Sequence, residues 1–505
     1  LKLADLIAGV DQLRIHGDTA VEISGLSYDS RQTNSGDLFF STARDPIAAR
    51  ANLEQAFNRG ARAVVMRSGD GEPPRSAGTV IECDPPRRLM GVAASRFFGA
   101  SSRRIDLVGV TGTSGKTTTT YLLRSIFEAA GRKAGIIGTI GIMSGDREVH
   151  SGLTTPESID FEAALAAMEQ RGVSAVAGEI SSIGIEEGRS DQLSLRAALF
   201  TNLGRDHLDY HGTTENYFAA KLRLFTEILP RSSHSAAVAV VNGDDSHGLI
   251  VLDRVRGNKI SFGLDPTLDV HALDASYSTD GINATIAARG RRFPIKSPLL
   301  GEINLRNILG ASAVSVALGI ETAAVVEGVR RCPGAPGRLE AVAGPVGVKV
   351  LVDYAHKPDA LLAILETLRA LKPRRLICVF GCGGDRDRGK RPIMGEIAGR
   401  LADLPIITSD NPRSEDPLAI VSAIEAGITR TALKPIGEAA ARANQGYILE
   451  PDRRAAIAIA LRVAQPGDLV VIAGKGHEDY QLIGSRRIDF DDRVVVRELT
   501  AMLQG

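Results

Sequence analysis

Tryptophan is absent from this 505-residue sequence, and aromatic residues amount to only 4 % of it. That scarcity argues against the aromatic platforms on which single-stranded nucleic acids stack. An excess of charge of one sign is also missing. The 60 Lys plus Arg balance 60 Asp plus Glu, so no net field draws the chain to nucleic acid or to an anionic membrane surface. No apolar run approaches the roughly 18 residues of a spanning helix. The first residues, LKLADLIAGVDQL, mix charge into a short apolar pattern and resemble neither a signal peptide nor a membrane anchor. Cysteine is sparse: Cys83, Cys332, Cys378 and Cys382 contain one close pair, spaced C-x3-C, and no second pair to complete a zinc site. Small buried thiols in a reducing cytoplasm are the expectation.

What is present is an ordinary globular balance, 44 % hydrophobic and 24 % charged. The length is too great for one core and predicts two to four domains. Residues 1–102 read as short strands and helices, including NLEQAFNRGARAVVM, a helix-to-strand unit. From Ile105 the pattern becomes strand, polar turn, helix, with apolar runs IDLVGV, AVAGEI, AALFTNL and AAVAVVN. A more β-rich stretch, KISFGL to INATIAARGRRFPI, looks inserted. The segment RCPGAPGR at 331–338 reads as a linker, after which VKVLVDYAH, RLICVFGCGGDRDRG, LPIITSDNPR and DLVVIAGKGHED restart the alternation. The expected fold class is therefore α/β with mostly parallel sheets, in three domains at 1–102, 103–334 and 335–505. In both later domains polar clusters follow directly on the apolar runs, and the carboxyl ends of such strands are where open α/β sheets bind ligands.

VGVTGTSGKTTTT supplies strand, glycine turn and helix in the order a phosphate-binding loop needs. Backbone N–H groups from Gly112, Thr113, Ser114 and Gly115 through Thr118 can hold phosphate oxygens at the helix N-terminus. Lys116 would reach the outer phosphates, and the Thr117 hydroxyl would sit on Mg²⁺. Val110 stands where the usual spacing has its first glycine. The loop points to a nucleoside triphosphate without identifying a reaction.

The helix ENYFAAKLRLFTEIL carries Tyr217, Lys221, Leu224 and Ile228 at spacings of four, three and four. Those positions share one face, so Lys221 lies in an apolar stripe. Either the ammonium snorkels past its neighbours to water, or burial leaves a neutral amine. Such an amine can take up CO₂ as a carbamate, turning a cation into a metal-binding anion. Upstream, FTNLGRDHLDYHG places Asp206, His207, Asp209 and His211 at a strand exit. Lacking further Cys or His at ligand spacing, that cluster suits Mg²⁺ with mainly oxygen ligands better than zinc. Taken singly, each histidine is more often structural.

Together, TGTSGKTTT, LTTPES, GEISS, FTNLGRDHLDYHGTTENYFAAKLRLF, PGRLE, VDYAHKPDAL, VFGCGGDRDRGKRPIMG, SDNPRSEDP and AGKGHEDYQ resemble the Mur ligase family, in the family's order over roughly residues 105–485. The resemblance implies an N-terminal uridine-nucleotide domain, a central ATPase domain and a C-terminal Rossmann-like domain that binds an amino acid. It implies ATP-driven amide formation in peptidoglycan synthesis. A carboxylate is phosphorylated, an amine attacks the acyl phosphate, and a tetrahedral intermediate collapses. By matching motif, Lys116 and Thr117 serve the phosphates and Mg²⁺, Glu179 and His207 a second magnesium site, and Lys221 becomes N6-carboxylysine. Asn304 and Asn307 match the adenine contacts, Arg338 a phosphate contact and Asp353 the ribose contact. Asp410, Asn411, Pro412 and Arg413 form the DNPR string that marks family members adding meso-diaminopimelate to UDP-MurNAc-L-Ala-D-Glu rather than adding lysine. Physically, Arg413 offers a planar fork to the distal carboxylate, which lysine lacks. Arg386, Gly474 and Glu478 match the remaining contacts, with Glu478 placed for the distal ammonium. Ser30, Arg31, Thr154, Thr155, Ser181 and Arg189 match contacts to the acceptor. The implied partners are these small molecules alone, acting on a monomer.

Two departures fall on the acceptor side. Ile183 stands where the family usually reads S-S-H, and RDPIAARAN replaces a D-G-H/R stretch that helps hold the uridine nucleotide. They raise the alternative of a relative that joins an amino acid to a different carboxylate in specialised metabolism. A folylpolyglutamate synthase-like ligase is disfavoured by DNPR and GKGHED. A nucleotide switch or scaffold is disfavoured too, because Asn258-Lys259-Ile260-Ser261 lacks the aspartate of a guanine reader and the set Lys116, Glu179, His207 and Lys221 is intact.

Overall fold

In the computed structural model, which describes residues 1–70, 78–145, 147–149 and 152–504, the apolar runs become strands buried on both faces. The chain divides into two compact units. The first comprises Leu1–Ala272, Ile286–Arg292 and Ile308–Gly328; the second comprises Leu273–Thr285, Phe293–Asn307 and Val329–Gly505.

The first unit opens with a five-stranded sheet, in spatial order Arg14–His16, Thr79–Glu82, Ala63–Met66, Asp37–Phe40, Gly25–Ser27. Only the first pair is antiparallel. The helix Pro86–Phe97 packs Leu89, Met90 and Ala93 on one face with Leu38, Phe40 and Val65, while Pro46–Asn58 packs Leu53 and Ala56 on the other with Phe39 and Val64. The period-2 alternation of side chains explains why neighbours Phe39 and Phe40 serve opposite cores. Burying each such side chain contributes about 1.5–3 kcal/mol.

The larger sheet of this unit aligns Asn258–Gly263, Val238–Asn242, Ala197–Phe200, Asp106–Thr111, Ala175–Glu179 and Ala134–Ile137 in parallel, and Ile142–Ser144 with Arg147–Val149 continue it antiparallel. Its central strand Asp106–Thr111 ends at the phosphate loop, and the helix Lys116–Ala129 follows. The β-rich stretch contributes the strands Val270–Ser278, Gly281–Ala288 and Arg291–Ser297.

The lysine-bearing helix is not uniform. It is α-helical over Thr214–Arg223, turns into a π segment at Leu224–Ile228 and ends in a 3₁₀ turn at Leu229–Arg231. Pro230 has no N–H to give Thr226, so the i→i−4 ladder cannot run on. The wider turn keeps Leu224, Phe225 and Ile228 buried.

In the second unit the six-stranded sheet runs Glu340–Val342, Lys349–Asp353, Leu469–Ala473, Leu376–Cys382, Leu404–Ser409, Ile448–Leu449, parallel except for the first pair. Pro358–Ala370, Lys390–Leu401 and Pro417–Ile428 fill one core, and Arg453–Val463 with Asp492–Gln504 fill the other. All four cysteines are buried, and burial pushes the Cys378 and Cys382 thiols up to about 12. Among the described residues no helix is long and apolar enough to cross a membrane.

Two contacts of this unit are open to test. Lys390–Leu401 and Pro417–Ile428 meet backbone to backbone: a Cβ on Gly427 would lie 1.8 Å from Pro392 O, and one on Gly395 2.1 Å from Ile424 O. Gly427→Ala is expected to lower stability by about 1–3 kcal/mol, read as an earlier urea transition. Beside these helices Glu415 accepts from Arg391 Nη1 and Nη2 at 3.0 and 2.9 Å and from Asp385 N at 2.7 Å, which holds its carboxyl down at about 2. A carboxyl whose folded pKa lies below its ordinary value of 4.5 contributes stability above that pH and loses it as pH falls towards 2. Glu415→Gln should therefore lower the urea midpoint above pH 4.5 and flatten its fall between 4.5 and 2; an unchanged acid limb would refute the linkage.

Candidate active site

The phosphate loop is built by the strand that ends beside it. Gly112 has φ +141°, and a Cβ there would lie 1.9 Å from Thr201 Oγ1, so only glycine allows the approach. Asn202 clamps the loop. Its Oδ1 accepts from Ser114 N at 3.0 Å, its Nδ2 donates to Ser114 O at 3.1 Å, and its carbonyl accepts from Thr113 N at 2.9 Å. Thr201 Oγ1 donates to Ser114 O at 2.7 Å. Neither Thr201 nor Asn202 was found by sequence reasoning; their signal was their place at the exit of AALFTNL.

Two amines converge on one carbonyl. Lys116 Nζ and Lys221 Nζ each lie 2.9 Å from Gly112 O, and Lys116 also donates to Thr113 O at 3.0 Å. Of the two readings of Lys221, the buried one holds: the residue is 1 % exposed, with its Nζ 4.6 Å from the centre of the Tyr217 ring. Burial first, and then the charge of Lys116, push its amine well below the ordinary lysine range, against a smaller opposing pull from Asp206. Tyr217 itself meets Thr113 Oγ1 at 3.0 Å, so the lysine helix and the loop are tied twice.

Glu179 ends the strand Ala175–Glu179, and its oxygens accept from Thr139 N at 3.0 Å and Thr139 Oγ1 at 3.1 Å. A Cβ on Gly138 would intrude to 2.4 Å of that carboxylate. His207 takes left-handed backbone, φ +52°, and its N–H donates to Asp206 Oδ1 at 2.9 Å; its side chain is 40 % exposed. Thr117 is buried at the first turn of Lys116–Ala129. Hydroxyl, carboxylate and imidazole are a donor set that fits Mg²⁺. Among the described residues no three His, Cys, Asp or Glu side chains gather into a metal cage. Mg²⁺ held through few protein oxygens keeps water and substrate phosphate in its shell. Thr111 Oγ1, buried at the end of the strand before Gly112, has no hydrogen-bond partner among the described residues and is a further oxygen at this edge.

Of the residues expected to contact the acceptor, Thr154 Oγ1 lies 3.1 Å from Thr139 Oγ1. Thr155 Oγ1 lies 2.9 Å from Glu179 O and accepts from Ser181 N at 2.8 Å, while Ser181 Oγ caps the helix Ser182–Glu186 by accepting from Gly184 N at 3.0 Å. Arg189 donates to Thr155 O at 3.1 Å and Glu187 Oε2 at 2.7 Å and lies 3.3 Å from Glu157, whose second partner is Arg87. Ser30 Oγ lies 2.6 Å from Gln55 Oε1 and 3.2 Å from Asn52 Oδ1. Arg31 is an exposed residue paired with Asp29 at 2.8 Å.

In the second unit the predicted residues fall into two groups. Asn304 and Asn307 lie on the helix Gly301–Ala317, with Asn307 Nδ2 donating to Asn304 Oδ1 at 3.1 Å. Asp353 is buried, its oxygens accepting from Leu339 N and Ala355 N at 2.7 and 2.8 Å, and Arg338 lies over the Tyr354 ring at 5.0 Å. The other group sits where Leu404–Ser409 and Leu469–Ala473 end. There Asn411 Nδ2 donates to Glu478 Oε2 at 3.1 Å, and Arg413, φ +52°, donates through Nη1 to Gly384 O at 2.9 Å. A Cβ on Gly383 would lie 3.0 Å from that same Nη1, and one on Gly384 1.9 Å from Pro412 O. Asp410 is buried, and Gly474 N donates to Asp353 O at 3.0 Å. Arg386 is exposed and donates to Asp385 O at 3.4 Å. Sequence reasoning missed the side chain that secures these ends: Arg453, fully buried, pairs with Asp492 at 2.7 Å and donates to Ser409 O and Ala473 O at 3.3 and 3.1 Å.

Comparison with known proteins agrees with this geometry. Residues 110–315 match the Mur ligase middle domain and residues 337–476 the Mur ligase, glutamate ligase domain. The chain is 42 % identical to the UDP-N-acetylmuramoyl-L-alanyl-D-glutamate–2,6-diaminopimelate ligase of Geobacter metallireducens, with 100 % of each covered. It is 41 % identical to the ligase of the same name from Synechococcus elongatus, with 97 % and 96 % covered. A solved structure of a ligase of that name superposes with a TM-score of 0.72 at 32 % identity, covering 100 % of this chain and 99 % of the other. A MurF structure from Acinetobacter baumannii, at 18 % identity and a TM-score of 0.65 over 99 % and 97 % of the two chains, shares the fold. The phosphate loop, the buried lysine beside it and this end-to-end likeness make the chain a member of the Mur ligase family.

Proposed function

We propose that this protein joins diaminopimelate to UDP-N-acetylmuramoyl-L-alanyl-D-glutamate, at the expense of ATP, in peptidoglycan synthesis. The observation that carries the reading is the Asn411–Glu478–Arg413 constellation, in a chain 42 % identical end to end to a ligase named for that step. Joining at a different carboxylate, folylpolyglutamate synthesis and a non-enzymatic switch are not favoured by relatives of that name and full coverage.

The terminal carboxylate of the acceptor attacks the γ-phosphorus of ATP, the bond to the β–γ bridging oxygen breaks, and ADP leaves. Lys116, with the N–H groups of Gly112–Thr118, is assigned to stabilise charge on the transferring phosphoryl group. Asn304, Asn307, Arg338 and Asp353 are assigned to the nucleotide. The amine of diaminopimelate then attacks the acyl carbon. The tetrahedral intermediate expels phosphate, the amine proton is lost, and an amide remains. Thr154, Thr155, Ser181, Arg189, Ser30 and Arg31 are assigned to the acceptor, so that its carboxylate is presented in line.

Thr117, Glu179, His207 and Lys221 are the residues that would hold Mg²⁺, which when bound supplies charge neutralisation to the phosphates. Lys221 suits that role as a carbamate. Burial holds its amine well below the ordinary lysine range, which favours the neutral form that can add CO₂ and lose a proton to give an anionic carbamate with two oxygens. In the donor pocket Arg413 takes the distal carboxylate, Glu478 the distal ammonium, and Arg386, Asp410, Asn411, Pro412 and Gly474 complete the wall. The use of ATP and a UDP-linked acceptor supports a cytoplasmic location for the reaction.

The test offers the full chain ATP, Mg²⁺ and UDP-MurNAc-L-Ala-D-Glu with meso-diaminopimelate, with lysine or with neither, and reads phosphate release and product mass. An amide product with diaminopimelate is expected; none with any UDP-muramyl acceptor would sink the assignment. Arg413→Ala should raise the KM for diaminopimelate about 10- to 100-fold, whereas an equal loss with every amino acid would count against the pocket. Lys221→Ala should cut turnover by roughly 10²–10³-fold, with partial rescue by a small carboxylate, and full activity there would reject the carbamate.

A further inference from the structure

Lys475 is a buried cation among the residues assigned to the donor, and that assignment gives it no task. It follows Gly474, φ +123°, and precedes Gly476, φ +55°, at the end of the strand Leu469–Ala473. Those two glycines let the backbone turn so sharply that the side chain points inward: Lys475 is 0 % exposed. A Cβ on Gly476 would lie 2.7 Å from that of Tyr354, so the turn is pressed against its surroundings and has little freedom to re-form.

An ammonium buried this completely needs acceptors. Lys475 Nζ has Glu478 Oε2 at 3.1 Å, Asn411 Oδ1 at 3.3 Å and Asp410 Oδ1 at 3.8 Å, with the Tyr480 ring centre at 5.3 Å. Asn411 Oδ1 also accepts from Leu482 N at 3.0 Å. With two donors aimed at that oxygen, the amide has one orientation, and its Nδ2 is turned to Glu478 Oε2 at 3.1 Å. Both contacts to Glu478 therefore fall on Oε2. Among the described residues no hydrogen bond reaches Oε1, which leaves it for a ligand. The charge works the same way: Asp410 and Glu478 bring two negative charges and Lys475 one positive, so the trio presents a single net negative charge. That matches one ammonium group.

We propose that Lys475 is a positioning residue of the donor pocket, whose buried ammonium holds Asn411 and Glu478 so that one Glu478 oxygen faces the distal ammonium of the incoming amino acid. The inference rests on the reading of this pocket given under Proposed function. A lysine that merely stabilised the fold would not act on one substrate more than another, and that difference is measurable.

The experiment is steady-state kinetics on the full chain, varying ATP, UDP-MurNAc-L-Ala-D-Glu and meso-diaminopimelate in turn. For Lys475→Met the KM for diaminopimelate should rise roughly 10- to 100-fold, as for loss of a charge-assisted contact. Its kcat and the KM values for ATP and the acceptor should stay within about threefold. An unchanged KM for diaminopimelate, a loss confined to kcat, or an equal rise for all three substrates would overturn the proposal. Should Lys475→Met not fold, Lys475→Gln, which keeps a donor without the charge, is measured in the same way against the same outcomes. A wild-type enzyme that forms no amide with diaminopimelate overturns the pocket assignment itself. Wild-type turnover with an unaltered variant KM overturns only the role of Lys475.

Discussion

A strand buried on both faces has no room for chemistry along its length, and this constraint shapes the whole molecule. Asp106–Thr111, Ala175–Glu179, Ala197–Phe200, Leu376–Cys382, Leu404–Ser409 and Leu469–Ala473 are buried almost throughout. Ionisable groups appear where those strands run out: Glu179 at the end of one, the phosphate loop after another, Asp410 and Lys475 after two more. Parallel pairing puts these exits on one edge of each sheet. Groups 60 to 100 residues apart in sequence therefore become hydrogen-bond neighbours without any long loop, as with Ser114 and Asn202 or Asn411 and Glu478.

Within the first unit, the Gly112 carbonyl shows what this arrangement costs. Two amines share it, one of them sealed from water and beside a second cation. Neither burial nor like charge favours an ammonium at Lys221, so the position works against stability as an ordinary lysine. The surrounding structure compensates by over-determining the site. Tyr217 ties the helix to Thr113, Asn202 and Thr201 tie the loop to the neighbouring strand, and the π turn at Leu224–Ile228 keeps the apolar stripe buried below the lysine.

Much of this was legible in the sequence because its signals are local. The strand–glycine–helix run at Gly112, the apolar stripe carrying Lys221 and the DNPR string each declare themselves within a dozen residues, and the predicted strands occur where the apolar runs stood. What stayed hidden depends on pairings across the chain. Nothing local marks Asn202 as the clamp of Ser114, Thr139 as the partner of Glu179, or Arg453 as the buried tie between Ser409 and Ala473. Lys475 sat inside a quoted motif, but its inward turn follows from the glycines on either side. The break of the lysine helix was visible only as Pro230, which says where a ladder must fail and not what replaces it.

The two departures from the family pattern, Ile183 and RDPIAARAN, lie in or at the start of helices. Ile183 replaces a histidine, yet the short helix that carries it is still capped by Ser181, and Ser182 Oγ on that helix meets His211 Nε2 at 3.0 Å. Ile183 itself is half-buried. The stretch RDPIAARAN, which reads as a loss, forms the start of Pro46–Asn58: Asp45 caps it by accepting from Ala48 N at 3.0 Å, and Asn52 and Gln55 on the same helix meet the Ser30 hydroxyl. Arg44, at its beginning, pairs with Glu187 at 3.2 Å, joining the network of Arg87, Glu157 and Arg189. Three arginines here meet two glutamates, with Asp160 beside Glu157 as a further carboxylate. The substituted residues thus keep a polar, hydrogen-bonded surface with different side chains: Asp45 caps the helix, Asn52 meets Ser30 and Arg44 meets Glu187.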